Sequence, residues 1–175
     1  MPEQIVHGAE EAARALRGLP DKLRSRVLRN ALAAGARVVR NAAQAAAPVL
    51  ARPTKRRTSG LLRKSIKVRT SKRDKSAGNV GVFVNVKPAG KKARGAASAA
   101  DPYYWRWVEF GRSAGQVKRK VRTKKQLIKR VHVARVGPMK PVGFLRTGAQ
   151  QLPAALGVIT PAIARGVAKL NTRST

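Results

Sequence analysis

The sequence predicts an α+β protein in which one long N-terminal helix packs on a small antiparallel sheet. Apolar residues recur at helical spacing over 21–47, alternate strictly in two later segments, and return to helical spacing near the C-terminus. The chain has 175 residues and 43% hydrophobic content, which is enough for one domain with a real core. We therefore expect a single domain over residues 1–175.

The long helix is the clearest element of the pattern. Residues 1–19 form an acid-rich N-terminal segment with a short helix over Ala9–Arg17. The long helix follows within 20–48, with Pro20 at its start, Asp21 in the first turn and Pro48 after its end. Its small apolar face predicts core packing with a solvated arginine face, and a helix that faces nucleic acid is the alternative.

A β-hairpin is predicted over 61–87. Ile66, Val68 and Thr70 alternate with basic residues, so Leu61–Thr70 is interpreted as the first strand. The valines from Val80 to Val86 occupy every second position and predict the second strand. The polar turn over 71–78 is too short for a crossover helix, which favours antiparallel pairing.

An aromatic segment over 102–111 holds both tryptophans and both tyrosines of the chain. Asp101 is a candidate cap and Pro102 a candidate first position for a short helix that Gly111 closes. The aromatic rings could stack on bases as in single-strand binders, but core and subunit interface is the favoured interpretation. Trp105 and Trp107 are expected to face different surroundings.

Two segments complete the domain. A very basic hairpin or arm is predicted over 112–141, because short stretches of alternation lie between Arg112 and Pro141. A C-terminal helix is predicted over 144–171, with a kink or break later in the helix from Pro153, Gly157 or Pro161.

The net charge of +32 is the most unusual property of the composition. A charge of this size on a small domain favours a polyanion partner, with nucleic acid first, an anionic membrane surface second and acidic protein third. The chain has no cysteine, which excludes disulfides and thiolate chemistry. Neither a signal peptide nor a membrane-spanning run is predicted.

Three motifs in this order resemble the tail-completion or head–tail joining proteins of tailed bacteriophages. They follow a long helix that ends in Ala-Ala-Pro, and they are Gly60-Leu61-Leu62-Arg63-Lys64-Ser65-Ile66, Tyr104 to Gly111 ending in Val-Glu-Phe-Gly, and Phe144-Leu145-Arg146. The resemblance in layout covers about residues 10–170. Gly143 stands where that family usually has proline, and residues 112–141 replace a short connection.

The resemblance implies a structural part of the virion, with no cofactor and no metal. Family members are small α+β subunits that assemble as homo-oligomeric rings, commonly hexamers, in the neck between head and tail. The implied partners are a portal-side adaptor or stopper and the tail terminator or tube proteins. Genomic DNA in the lumen is a further candidate partner, suggested by the basic tracts, and no membrane is expected. Assembly would take place in the host cytoplasm.

Glu109 is the last acid of the chain and the main candidate for a functional residue. It has no second carboxylate or histidine nearby in sequence, so catalysis is not expected. We expect instead a structural anchor in which Glu109 forms an ion pair with Arg63 or Arg146. The predicted anchor set contains Glu109, Arg63, Arg146, Tyr104, Phe110, Gly111 and Phe144.

Three basic tracts are candidates for contact with DNA or with a partner protein. Solvated loops are the simpler interpretation, and contact with DNA backbone in a ring lumen or with an acidic neighbouring ring is the favoured one. A tail terminator and a sequence-independent DNA-binding or compacting protein remain alternative functions. The candidate contact residues are Lys55, Arg56, Arg57, Lys91, Lys92, Arg94, Lys118, Arg119, Lys120, Arg122, Lys124, Lys125, Lys129 and Arg130.

Overall fold

The computed structural model describes residues 10–14, 16–53, 58–90, 100–123 and 126–171. For residues 117–134 and 171 this description covers the main chain alone. The predicted α+β class is confirmed: a long helix packs on a two-stranded antiparallel sheet, with a short aromatic helix and a C-terminal helix. A helical stretch over 10–14 and 16–17 precedes these elements.

The long helix, α1, spans Asp21–Ala46, within one residue of the predicted end. Pro20 lies at the cap position just before it, with an extended backbone, and Asp21 in the first turn pairs with Arg24. The buried residues are small and lie on one face: Val27, Ala31, Gly35 and Ala43. The core-packing interpretation of this helix is therefore confirmed.

The sheet pairs β1, Ile66–Thr70, with β2, Val82–Val86, antiparallel in a register that sets Ile66 opposite Val86. The second strand begins at Val82, two residues later than predicted, and two other details of the predicted hairpin were wrong. Residues Leu61–Ser65 form a short helix, α2, that starts after Gly60, so the first strand begins later than predicted. The predicted polar turn contains another short helix, α3, over Lys72–Ser76.

The second half of the chain begins with the aromatic helix α4, Trp105–Phe110, which starts three residues later than predicted. Strands β3, Gly115–Thr123, and β4, Gln126–Val136, then pair antiparallel and form a hairpin, as predicted. We call this hairpin the basic arm. No other described element makes extensive contact with it.

The C-terminal helix is divided into α5, Phe144–Ala149, and α6, Leu152–Asn171. The break comes just before Pro153, whose missing N–H and ring prevent a continuous helix through this point. Pro161, in contrast, lies inside α6 without ending it. Packing of Ile159 and Ile163 in the same core cluster as α1 outweighs the hydrogen bond that Pro161 removes.

Two clusters of buried side chains lie along α1. At its C-terminal end, Ala43 packs with the sheet, α4 and Phe144; at its N-terminal end, Val27 packs with α6 and the helical stretch before Pro20. Glycines allow close approach, because a Cβ on Gly35 would lie 2.6 Å from Ile159 Cγ1 and one on Gly148 would lie 2.8 Å from Ala43 Cβ. The long helix therefore organises the whole body.

Candidate functional site

The aromatic helix presents its rings in two directions. Trp105 packs against the buried cluster, whereas Trp107 is 37% exposed, so the two tryptophans face different surroundings as predicted. Tyr103 lies edge-on to Tyr104 and to Trp107, with ring centroids 5.5 and 5.7 Å apart. Because these rings contact one another or the core, most of the aromatic surface is used within the chain.

Glu109 is buried at 7% exposure and binds the start of α5. Its Oε2 accepts a hydrogen bond from the Leu145 N–H at 2.8 Å, and its Oε1 accepts one from the Arg146 N–H at 3.1 Å. These amides belong to the first turn of a helix, where main-chain donors lack partners within the helix. Glu109 thus caps α5 across space, and its charge lies at the positive end of the helix dipole.

The predicted ion pair of Glu109 with Arg63 or Arg146 was wrong. Among the described residues the ion pair within 4 Å is Arg24–Asp21. The side chains of Arg63 and Arg146 are exposed, and Arg146 reaches Glu109 through its main-chain N–H alone. Fixed amides satisfy the buried carboxylate without the conformational entropy that ordering an arginine side chain would cost.

Gly143 allows this cap to form. It precedes α5 with φ of 64° and ψ of 37°, a left-handed conformation that glycine adopts readily. Proline holds φ near about −65° and could not adopt it.

The segment after α4 is joined to the segment before α5. The Val142 N–H donates to Val108 O at 2.8 Å, and Arg112 and Met139 exchange main-chain hydrogen bonds of 2.9 and 2.8 Å. Gly111 lies in this junction with φ of 79°, and a Cβ there would be 2.9 Å from Met139 O. The two chain segments run so close together that only glycine fits.

Arg112 fixes the base of the basic arm. One of its terminal nitrogens donates to Gly137 O at 3.0 Å, and its guanidinium carbon lies 4.9 Å from the Trp107 ring centroid. Sequence patterns assigned Arg112 and Met139 no role beyond membership of the basic arm. The proximity of Trp107 in the chain is a signal for a cation–π contact that could have identified Arg112.

The other predicted anchor residues lie in different environments. Phe144 is fully buried in the core cluster and Tyr104 packs against that cluster. Phe110 is 68% exposed and makes no internal anchor, which corrects its assignment. The main-chain carbonyl of Arg63 accepts a hydrogen bond from Gln44 Nε2 at 3.1 Å, while its guanidinium remains outside the site.

The basic arm carries nine lysines and arginines and no acid between residues 115 and 136. Its register sets Lys118 opposite Val133 and Lys120 opposite Val131. Predicted contact residues within the arm whose main chain is described are Lys118, Arg119, Lys120, Arg122, Lys129 and Arg130. The remaining ones lie outside the described residues: Lys55, Arg56, Arg57, Lys91, Lys92, Arg94, Lys124 and Lys125.

An apolar groove of about 360 Å³ opens between α1, β2 and the C-terminal helices. Leu152 and Leu156 on its α6 side are 56% and 51% exposed, and Phe83 on its β2 side is 39% exposed. No charged residue lines it. The sequence pattern did not predict this groove, because helical periodicity alone cannot show which apolar positions of α6 lie beyond the edge of α1.

The described part of the chain contains no group of three or more histidine, cysteine or acidic residues placed to hold a metal ion. None of its helices combines the length and apolar character needed to span a membrane.

Comparison with known protein families gives a match over the first part of the chain. The model of the HK97-gp10-like family, described as a candidate tail component of bacteriophage HK97, matches residues 10–111, more than half of the chain. No curated protein and no solved structure matches significantly. The matched region contains α1, the sheet and the aromatic helix, and it ends at Gly111, just before the basic arm. The chain therefore belongs to the HK97-gp10-like family of bacteriophage tail components.

Proposed function

We propose that the protein is a structural subunit of a ring in the phage neck, where it completes the tail and joins it to the head. The ring is a homo-oligomer, with six copies as the expected number from the family resemblance. Its neighbours are the portal-side adaptor or stopper and the tail terminator or tube proteins. The family match supports a tail component that contacts other virion proteins.

The basic arm is the observation that carries this proposal. It consists of strands of 9 and 11 residues, which at about 3.3 Å per residue extend some 30 Å. A two-stranded ribbon alone is marginally stable in water, so a ribbon without support from the body is suited to contact with another molecule. Nine cations without an acid favour a polyanion or an acidic protein as that molecule.

The exposed apolar residues support assembly into a ring. One set lines the groove, and a second set lies near the base of the arm, where Phe110 is 68%, Val142 48% and Met139 39% exposed. A closed ring of identical subunits needs two different surfaces on each copy, because every copy contacts its two neighbours in different ways. Two separate apolar surfaces on one subunit meet that requirement.

We further propose that the role is assembly without catalysis. Both carboxylate oxygens of Glu109 already accept main-chain hydrogen bonds, so this carboxylate is committed to holding α5. A general base would need a free oxygen within reach of a substrate proton.

Electron microscopy of the purified protein, combined with a measurement of its mass in solution, tests the ring. We expect discrete rings of uniform diameter. A monomer at all concentrations would contradict the proposal, and coating of DNA without rings would favour the compacting protein.

The position in the neck is tested with a phage that lacks the gene. We expect filled heads and tails of normal length that remain separate, and joined particles after the protein is supplied. Tails of irregular length would instead identify a tail terminator.

DNA contact is tested by a binding titration at several salt concentrations. If each subunit makes about four phosphate contacts, the log–log slope is near −4 per subunit. Binding that does not change with salt would assign the arm to a protein partner.

A further inference from the structure

The two edges of the β1–β2 sheet differ in what their main-chain groups can bind. The Ser71 N–H donates to Gly81 O and the Lys87 N–H donates to Ser65 O, both at 2.8 Å, at opposite ends of the ladder. Hydrogen-bonded pairs alternate along an antiparallel ladder. In the unbroken register, Val82 and Val84 therefore direct their N–H and C=O groups away from β1, toward the open edge of β2.

The corresponding edge of β1 is covered by α1. Ile66 O points outward by the same alternation, and Gln44 Nε2 donates a hydrogen bond to it at 3.2 Å. On the β2 side, neither Val82 nor Val84 has an outward hydrogen bond to any described residue. Such an unpaired edge is a template for an added strand.

The open edge runs beside the apolar groove. Val82 and Val84 line the groove together with Val39 of α1 and with Leu152, Leu156 and Ile159 of α6. An extended segment added to β2 would thus bind through its main chain and place alternate side chains against apolar residues. Nucleic acid does not fit, because the lining has no cation to hold a phosphate.

The basic arm has the free strand edges and the alternating apolar residues that a strand added to β2 needs. In the described residues β3 and β4 pair only with each other, so each has a second edge without a partner. In sequence, Val131 and Val133 supply apolar residues at alternate positions of β4. The arm of the same chain makes no extensive contact with β2, which leaves a second copy as the source.

Charge favours the basic arm over a neutral segment as the strand that binds β2. The carboxylate of Asp74 occupies the space where a Cβ on residue 81 would lie, just before β2 begins. It forms no ion pair with any described residue. A basic strand that arrives at β2 would bring a cation to this unpaired acid, whereas an acidic strand would be repelled.

We propose that the β2 edge and the adjoining groove receive the basic arm of a second copy as an added strand. The inference rests on the ring assembly proposed above and names the contact that forms it. Each copy gives an arm on one side and accepts an arm on the other, so the contact is heterologous, which is the type of contact that forms a ring when the rotation between copies closes.

Two variants of the full chain test separately the basic arm and the groove that receives it. The double substitution Val131→Pro with His132→Pro disrupts the arm. Adjacent amides of a strand point to opposite edges, so two consecutive prolines remove one hydrogen-bond donor from each edge of β4. Leu152→Arg with Leu156→Arg fills the groove and repels the arm, at positions more than half exposed. The control is Val49→Arg, at an exposed residue (52%) outside the groove.

We expect each double variant to remain monomeric and the Val49→Arg control to assemble as the unmodified protein does. An equimolar mixture of the two double variants should form a one-to-one dimer and nothing larger, since only one intact arm and one intact groove are present. Melting curves of each variant check that the body is folded. Mass measurement in solution distinguishes all of these states.

Hydrogen exchange gives a direct readout at the edge. The amides of Val82 and Val84 should exchange at least about tenfold more slowly in assembled protein and in the mixed dimer than in the arm variant alone. Self-association should strengthen as salt rises, because copies of charge +32 repel each other less. DNA binding changes with salt in the opposite direction.

The outcomes separate this inference from the ring itself. Rings that form with a broken arm, or rings in which these two amides stay unprotected, would overturn the strand addition and leave the ring in place. A protein that is monomeric at every concentration and salt would overturn both. Protection that appears only when another virion protein is added would assign the edge to that protein.

Discussion

The body and the basic arm differ in how their charged groups are compensated. In the body, the buried carboxylate of Glu109 is matched by two main-chain amides, and close helix contacts at Gly35 and Gly148 leave little space. The arm has nine cations, no acid and no extensive contact with the body. Stability therefore resides in the body, and the properties that govern partners reside in the arm. Substitutions in the two regions should have separable effects.

The largest effect on stability is expected from Glu109→Ala. The substitution leaves two partly buried amides without an acceptor and removes a buried side chain between α4 and α5, which should cost about 3 kcal/mol of unfolding free energy. For a chain of this size that lowers Tm by about 6–12 °C. Thermal unfolding monitored by circular dichroism checks this. Glu11→Ala, at an exposed acid, is the control, and equal melting of the two variants would remove Glu109 from the body's stability.

A smaller loss is expected from Gly148→Ala. The added Cβ would lie 2.8 Å from Ala43 Cβ and 2.9 Å from Val39 O, so α5 must move away from α1. Overpacking of this kind costs about 2 kcal/mol. Gly157→Ala is the matched control, because its Cβ meets nothing within 4 Å and alanine favours the helix. Chemical denaturation should give opposite signs for the two substitutions; the same sign for both would contradict the close packing.

Loss of the hydrogen bonds that cover the β1 edge should lower the unfolding free energy by about 1 kcal/mol. Gln44→Ala removes the hydrogen bonds to Arg63 O and Ile66 O, each of which contributes modestly to stability. Asn30→Ala, at an exposed position of the same helix, is the control. Faster hydrogen exchange confined to β1 would confirm the cover, and unchanged exchange there would contradict it.

The smallest effect on stability, and the largest on binding, is expected in the arm. Lys118→Glu with Lys120→Glu should change the unfolding free energy by less than about 0.5 kcal/mol. If these residues contact phosphates, each substitution should reduce the salt slope of DNA binding by about 1. Lys22→Glu with Lys72→Glu makes the same charge change at exposed residues of the body. Equal salt slopes for the two double variants would show that DNA binding depends on net charge and not on the position of the lysines in the arm.

Local signals predicted the elements better than the contacts between them. The bounds of α1 followed from helical spacing between Pro20 and Pro48, and the arm followed from alternation between glycines and prolines. The partner of Glu109 did not follow, because every residue has an N–H and only the folded chain shows which amides lack a partner. The same holds for the open edge at Val82 and Val84, which depends on register and on what lies beside the strand.

The position of the arm in the sequence has a consequence for how fast the protein folds. Glu109 caps an amide 36 residues later, and the arm lies between the two. Joining the ends of a long flexible loop costs entropy that grows with loop length. Once β3 and β4 pair, Arg112 and Met139 are already neighbours, and the remaining segments to Glu109 and Leu145 are short. A hairpin that adds little to native stability should therefore accelerate the closure of the body, and a chain with a broken arm should refold more slowly to an equally stable state.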